Sequence, residues 1–217
     1  MILGHVYTSL PKFTAAWSGD LETSISEADW QKAFYYTHKS SISSYVREKN
    51  YKVLSRWYRV PSALRIMFPS TPDSCWRCNS AVGTYLHIWW DCEAIRPFWN
   101  QIFKIYSDIY SKPLLPSPTV ALLSILPGTF KFQKHTLLRF CLSTSRQLIS
   151  RHWRSPLPPS LAEWVTEMNG VMLMEELQAK ALDSHAKFSF TWGLWREFSS
   201  SDALKALLSP DSSSPPP

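Results

Sequence analysis

The stretch CWRCNSAVGTYLHIWWDC, residues 75–92, holds three of the chain's four cysteines with a histidine among them. Its spacing is C-x2-C-x8-H-x4-C, with Cys75, Cys78, His87 and Cys92 as the chelating side chains. A two-residue gap lets both thiolates of the first pair point into one tight turn, and Asn79, Ser80 and Gly83 supply residues that reverse a chain. His87 and Cys92 then fall around the first turns of a helix and close a Cys3His set. Three thiolates and one imidazole form a borderline-soft tetrahedral donor set that suits zinc, and with all four positions filled the metal is structural, not catalytic. The alternative is a group of buried reduced cysteines with an incidental histidine. Cys141, isolated in an apolar helical pattern, is read that way as a core residue.

Beyond this cluster, four cysteines in 217 residues are too few for a disulfide scaffold. Hydrophobic residues make up 45% of the chain, eleven of them Trp, and only 18% are charged, so most of it should fold around a core or two small lobes sharing a seam. The N-terminal residues lack a basic segment followed by an apolar run, and nowhere do eighteen apolar residues follow one another. The expectation is therefore a soluble, intracellular protein of the cytoplasm or nucleus, with no membrane partner.

On the N-terminal side, residues 1–20 read as an irregular lead-in. Ser24 with Glu27, or Ser26 with Asp29, offers a capping-box start for a helix that carries Trp30 and Phe34 on one face. A second helix is expected over 41–58, stopping before Pro61, so that 21–68 form a basic helical hairpin. The formal net charge is +6, and the segment 39–65 alone holds seven basic residues against the single acid Glu48. At about 100° per residue, Lys49, Lys52, Arg56 and Arg59 share one narrow arc, opposite Tyr51, Val53, Leu54, Trp57 and Tyr58. Such a helix buries its aromatic face and points a row of cations at phosphates, although an ordinary solvated face has the same pattern.

On the C-terminal side, a helix is expected from Ala94 or Pro97 to Tyr110, with Phe98, Ile102, Phe103, Ile105 and Tyr106 as its core stripe. Residues 69–110 thus form the knuckle and its following helix, and 111–198 a helical C-terminal lobe. Within that lobe come a short apolar turn at 120–126, a long helix over 131–153, a helix opened by the capping box Ser160 with Glu163 and running to about Leu182, and a shorter one over 190–198. The Ser- and Pro-rich tail 199–217 reads as disordered. No repeat is found, and no strand pattern beyond a small hairpin at the cysteines. The fold class is mostly α: bundle-like helical lobes around one Cys3His zinc knuckle.

Aromatic residues interleave the chelating side chains: Trp76, Tyr85, Trp89 and Trp90, with Arg77 beside them. Exposed rings of this kind stack on bases, worth about 1–3 kcal/mol each, whereas buried ones are core. Trp76 or Trp90 is expected to be partly exposed and the others packed.

The runs at 50–61 (NYKVLSRWYRVP), 75–78 (CWRC), 86–92 (LHIWWDC), 97–99 (PFW), 151–160 (RHWRSPLPPS), 163–164 (EW) and 174–177 (MEEL) together resemble the C-terminal part of LINE-type (non-LTR) retrotransposon reverse-transcriptase polyproteins. The resemblance spans roughly residues 15–198. It implies a cysteine-rich region linked to RNA binding, lying downstream of endonuclease and reverse-transcriptase domains, with Cys75, Cys78, His87 and Cys92 as the metal ligands. A Phe/Tyr-x-Asp-Asp polymerase motif and an endonuclease constellation are both missing from the sequence, so the resemblance implies binding without polymerisation or cleavage.

The leading expectation is a non-catalytic segment that binds RNA or single-stranded DNA through Lys49, Lys52, Arg56, Arg59, Trp76, Arg77 and Trp90, with the upstream reverse-transcriptase domains as a further partner. The competing expectations are a zinc-stabilised protein-interaction module, which would associate independently of salt, and a retroelement remnant with no function of its own. An enzyme is disfavoured, since His38, His135, His152 and His185 are each isolated from nucleophile or carboxylate motifs.

Overall fold

The computed structural model describes residues 10–128, 130 and 136–209, and among these the backbone is predominantly helical, with one antiparallel bridge, Ser74 to Val82, in place of any strand. The helices are α1 (Phe13–Asp20), α2 (Glu27–His38), α3 (Ser44–Leu54), α4 (Pro61–Met67), α5 (Arg96–Tyr110), α6 (Pro118–Leu123), α7 (Thr136–Arg151), α8 (Leu161–Ala181), α9 (His185–Ser199) and α10 (Asp202–Leu208), with a π-helical turn at His87–Asp91 between α4 and α5. None of them is long and apolar enough to cross a membrane.

Local chemistry accounts for most of the helix starts. Ser26 caps α2 by accepting from the Asp29 amide at 3.1 Å, which selects it over Ser24. Ser160 and Glu163 form the reciprocal box at α8: the Glu163 amide donates to Ser160 Oγ at 3.1 Å and the Ser160 amide to Glu163 Oε2 at 2.7 Å. Proline opens α4, α5 and α6, where its missing N–H costs nothing.

Helix α7 is the centre of the bundle, packed against α3, α5, α6, α8 and α9. It is surrounded on every side, so Ser143, Thr144, Ser145, Arg146 and Gln147 are buried along with its leucines and Cys141. Ser143, Ser145 and Arg146 find hydrogen-bond partners inside the bundle. Arg146 donates to Asn50 Oδ1 of α3 at 2.6 Å, to Ala121 O at 2.9 Å and to Ser124 Oγ at 3.1 Å, while Asn50 Nδ2 donates to Ser143 Oγ at 2.7 Å. No carboxylate faces Arg146 in these bonds; the carbonyls at the C-terminal end of α6, where the helix dipole is negative, take that role.

Several sequence expectations change in extent. The lead-in contains α1, whose Trp17 is fully buried and donates to Leu54 O at 2.7 Å. The apolar turn at 120–126 includes the helix α6, and α9 begins five residues before the expected start at 190. Helix α10, capped by Ser201 and anchored by buried Leu204, occupies the first part of the stretch read as disordered tail. The expectations for 1–9, for 131–135 with His135, and for 210–217 lie outside the described residues.

The largest change concerns α3, which ends at Leu54 and not near Tyr58. The Arg56 amide donates to Val53 O at 3.1 Å and the Trp57 amide to Lys52 O at 2.9 Å, the paired bonds of a Schellman stop. Arg56 therefore takes the left-handed position, φ 55°, usually given to glycine. That conformation costs about 1–2 kcal/mol for a residue with a Cβ. It is offset by the ion pair of Arg56 with Asp20 at 2.7 Å and by the guanidinium lying over the rings of Trp17 and Tyr85, at 5.0 and 4.6 Å.

Candidate metal centre

The chain between 73 and 83 folds back on itself as a short hairpin. The Gly83 amide donates to Asp73 O at 2.7 Å and the Cys75 amide to Ala81 O at 2.8 Å, and Asn79 makes the reversal with φ 55°. Gly83 was expected to serve the turn, yet its φ is not positive; it is needed for close approach instead. A Cβ there would stand 2.6 Å from Pro61 Cγ, at the start of α4, while Gly83 O accepts from the Ser62 amide at 3.2 Å. Replacing Gly83 by Ala should therefore destabilise the protein by about 1–3 kcal/mol, because a rigid proline ring must be displaced. A shift of the urea midpoint at unchanged m-value reads this directly.

The second half of the site is the turn after Thr84, whose hydroxyl accepts from the His87 amide at 3.1 Å. In an α-helix, residues five apart point about 140° away from each other. The Cys92 amide donates to His87 O at 2.9 Å, so the turn is widened to the five-residue repeat of a π-helix, and both side chains reach the same side. Cys92 then leaves the helical conformation just ahead of α5.

The chelating atoms of Cys75, Cys78, His87 and Cys92 all lie within 4.8 Å of one another. Cys75 Sγ is 3.7 Å from Cys92 Sγ, and Cys78 Sγ is 3.4 Å from His87 Nε2. Tetrahedral bonds of ordinary length for a thiolate and an imidazole on one ion put those separations at about 3.8 and about 3.6 Å. The donor set thus fits a four-coordinate cation, with every position supplied by protein. The Arg77 amide lies 3.4 Å from Cys75 Sγ, as a donor to a thiolate would.

The thiols differ in acidity. Burial of Cys78 opposes its ionisation, but hydrogen bonds from the Ser80 side chain, the Ser80 and Ala81 backbone and His87 outweigh it and bring the group down to about 6. Burial pushes Cys92 up to about 11, and its neighbour Cys75 adds to the shift.

Of the side chains expected at a nucleic-acid interface, Arg77 is turned inward: only 7% of it is exposed, and it donates to Ile88 O at 2.8 Å and His152 O at 3.3 Å, tying the knuckle to the end of α7. Arg56 is likewise engaged at the α3 stop, so Lys49, Lys52, Arg56 and Arg59 do not form one helical stripe. Lys52 pairs with Glu48 and lies over Trp57, Lys49 lies over Tyr45, and Arg59 is exposed. Trp76 and Trp90 are both half-buried, and Trp90 packs on Trp99 and Phe103, while Tyr85 and Trp89 are core. Tyr51 and Trp57, expected on the buried face, are exposed, because the stop after Leu54 rotates Trp57 outward and the bundle covers only the Val53 side of α3.

The same stop assembles a surface that sequence reasoning missed. Trp57, 59% exposed, lines an open cleft of about 430 Å³ with Tyr58, Arg59, Ser150, Trp153 and Arg154. Trp153 stands 4.8 Å from Tyr58 and 5.7 Å from Trp76, ring centre to ring centre, and Arg154 lies over the Trp76 ring. The buried Tyr58 hydroxyl has no hydrogen-bond partner among the described residues. The sequence signals were Arg59, read there as part of a helical stripe, and the runs 50–61 and 151–160, noticed for their resemblance and not for a shared cleft.

No family model matches the sequence.

Proposed function

We propose that this chain is a zinc-stabilised, non-catalytic segment that binds single-stranded RNA, of the kind found at the C-terminal end of LINE-type polyproteins. The observation that carries the reading is the cleft beside the knuckle, where an exposed tryptophan lies together with two arginines that have no ion-pair partner among the described residues. Trp57 and Trp153 offer faces for stacking, and Arg59 and Arg154 neutralise phosphates.

Zinc suits the Cys3His donors better than harder or redox-active ions. A divalent ion with three thiolates carries one net negative charge, and buried Arg77, beside Cys75 and Cys92, balances it. All four positions are taken by protein, so the ion's role is to fix residues 73–92 and, through Arg77, the turn after α7 that bears Trp153 and Arg154.

Titration of zinc-loaded protein with labelled single-stranded RNA at two salt concentrations tests the proposal. Trp57→Ala should weaken binding about tenfold with the salt slope unchanged, since stacking releases few counterions. Arg59→Gln should make the slope shallower by about 0.7. Affinity independent of salt and of both substitutions would favour a protein-interaction module, for which the exposed run Ile66, Met67 and Phe68 at the end of α4 offers an apolar surface.

A further inference from the structure

Some basic side chains of the described residues are answered by an acid, among them Lys32, Lys52, Arg56, Lys104, Arg151 and Arg196, each with a carboxylate within 4 Å. One cleft gathers four basic side chains that are not. Between the end of α2, the start of α3, the start of α7 and the α8–α9 connection lies an opening of about 410 Å³, a size in the usual range for small-ligand sites. Lys39, Arg47, Arg139 and Lys187 line it, and among the described residues none of the four is in an ion pair. His38 adds a fifth nitrogen base, and Glu175 is the single carboxylate on the lining.

We infer that this cleft is a phosphate-binding site. Like charges drawn into one concave surface repel, and the low-dielectric walls strengthen that repulsion, so the arrangement is stable when an anion sits among them. Arg139 is the innermost cation, and its Nε is buried with no hydrogen-bond partner among the described residues. Burial disfavours its charge, and Glu175, on the neighbouring helix, pushes the other way. Glu175 is itself raised by its burial and lowered by Arg139 and Lys187, so it answers only part of the charge around it. Ser184, which precedes α9 at the rim, makes no side-chain bond to the first-turn amides of that helix. The floor is apolar, with the buried rings of Phe140 and Trp192 in tilted contact, 4.8 Å centre to centre.

An RNA backbone and a free oligophosphate present the same chemistry. The choice of RNA as the carrier of the phosphate rests on the function proposed above; the phosphate site itself does not.

The experiment uses the full zinc-loaded chain and the variant Arg47→Gln/Lys187→Gln, whose unchanged thermal melt shows that the fold persists. Two probes are titrated, pyrophosphate by calorimetry and a labelled single-stranded RNA of about twelve nucleotides by anisotropy. The wild type should bind pyrophosphate, and the variant should bind it at least about tenfold more weakly, while Trp57→Ala should not alter it. With RNA the double variant should make the salt slope shallower by about 1.4, two phosphates' worth. Pyrophosphate that does not bind the wild type, or binds wild type and variant alike, overturns the site. Loss of pyrophosphate binding with RNA affinity and slope unchanged keeps the site and removes RNA as its occupant. Pyrophosphate binding by a wild type that binds no RNA at all overturns the proposed function and leaves the cleft as a site for free phosphates.

Discussion

Cys92→Ser should release the metal and lower the stability of the protein by more than about 4 kcal/mol, a loss beyond the usual range of single substitutions. Cys92 is completely buried, stands 3.7 Å from Cys75 across the site, and links the π-helical turn to α5. On either side of it Ile88, Trp89 and Ile95 are fully buried, and Trp99 donates from its indole to Trp89 O at 2.8 Å. Without coordination a serine hydroxyl would sit in that interior with poor partners, and the hairpin at 73–83 would lose its link to Cys92 across the site, keeping only the bonds through Arg77 and Gly83. The same loss should follow chelation of the wild type, whereas Cys141→Ser, buried in α7 away from the site, should retain its metal. Thermal unfolding with parallel metal analysis separates these cases.

The second large effect is expected from the polar network inside the bundle. Asn50→Leu removes the acceptor that Arg146 meets at 2.6 Å and leaves a fully buried guanidinium short of a partner, a change of about 3–5 kcal/mol. Burial already pushes Arg146 down to about 9, which still leaves it charged at neutral pH, so the bundle interior has to accommodate that charge. Arg146→Met removes more bonds and yet should cost less, about 1–3 kcal/mol, since it removes the buried charge along with them. The double variant should resemble Arg146→Met more closely than the sum of the two. Denaturant unfolding of the three variants checks the ranking; equal and additive losses would mean that the network contributes only packing.

What the sequence made legible follows its local chemistry. The capping pairs at Ser26 and Ser160, the proline in the first turn of α5, and the apolar stripe of that helix are all decided within a few residues, and they appear where expected. The C-x2-C-x8-H-x4-C spacing was equally readable, since two short turns suffice to bring its donors together. Features that depend on distant partners were not readable. Arg56 carries no mark of a helix stop, because the left-handed conformation is supported by Asp20, Trp17 and Tyr85, which tertiary folding supplies. The stripe that seemed continuous in a helical projection was broken for that reason, and Trp57 was turned outward. Arg77 looked like an interface cation beside exposed rings, but two backbone carbonyls far apart in the chain hold it inside. The polar run 143–147 gives no sign of burial by itself; α7 is buried all round because five other helices pack on it. The phosphate cleft gathers residues from five helices and the two segments linking α2 to α3 and α8 to α9, so no window of sequence contained it.

The most direct measurement is zinc-edge X-ray absorption on the purified chain after removal of loosely bound metal. The arrangement of Cys75, Cys78, His87 and Cys92 calls for one zinc per chain, with three sulfur atoms at about 2.3 Å and one nitrogen at about 2.0–2.1 Å. A shell of oxygen and nitrogen alone, or a metal-free protein whose fold and melting temperature match those of the zinc-loaded one, would contradict a closed structural metal centre.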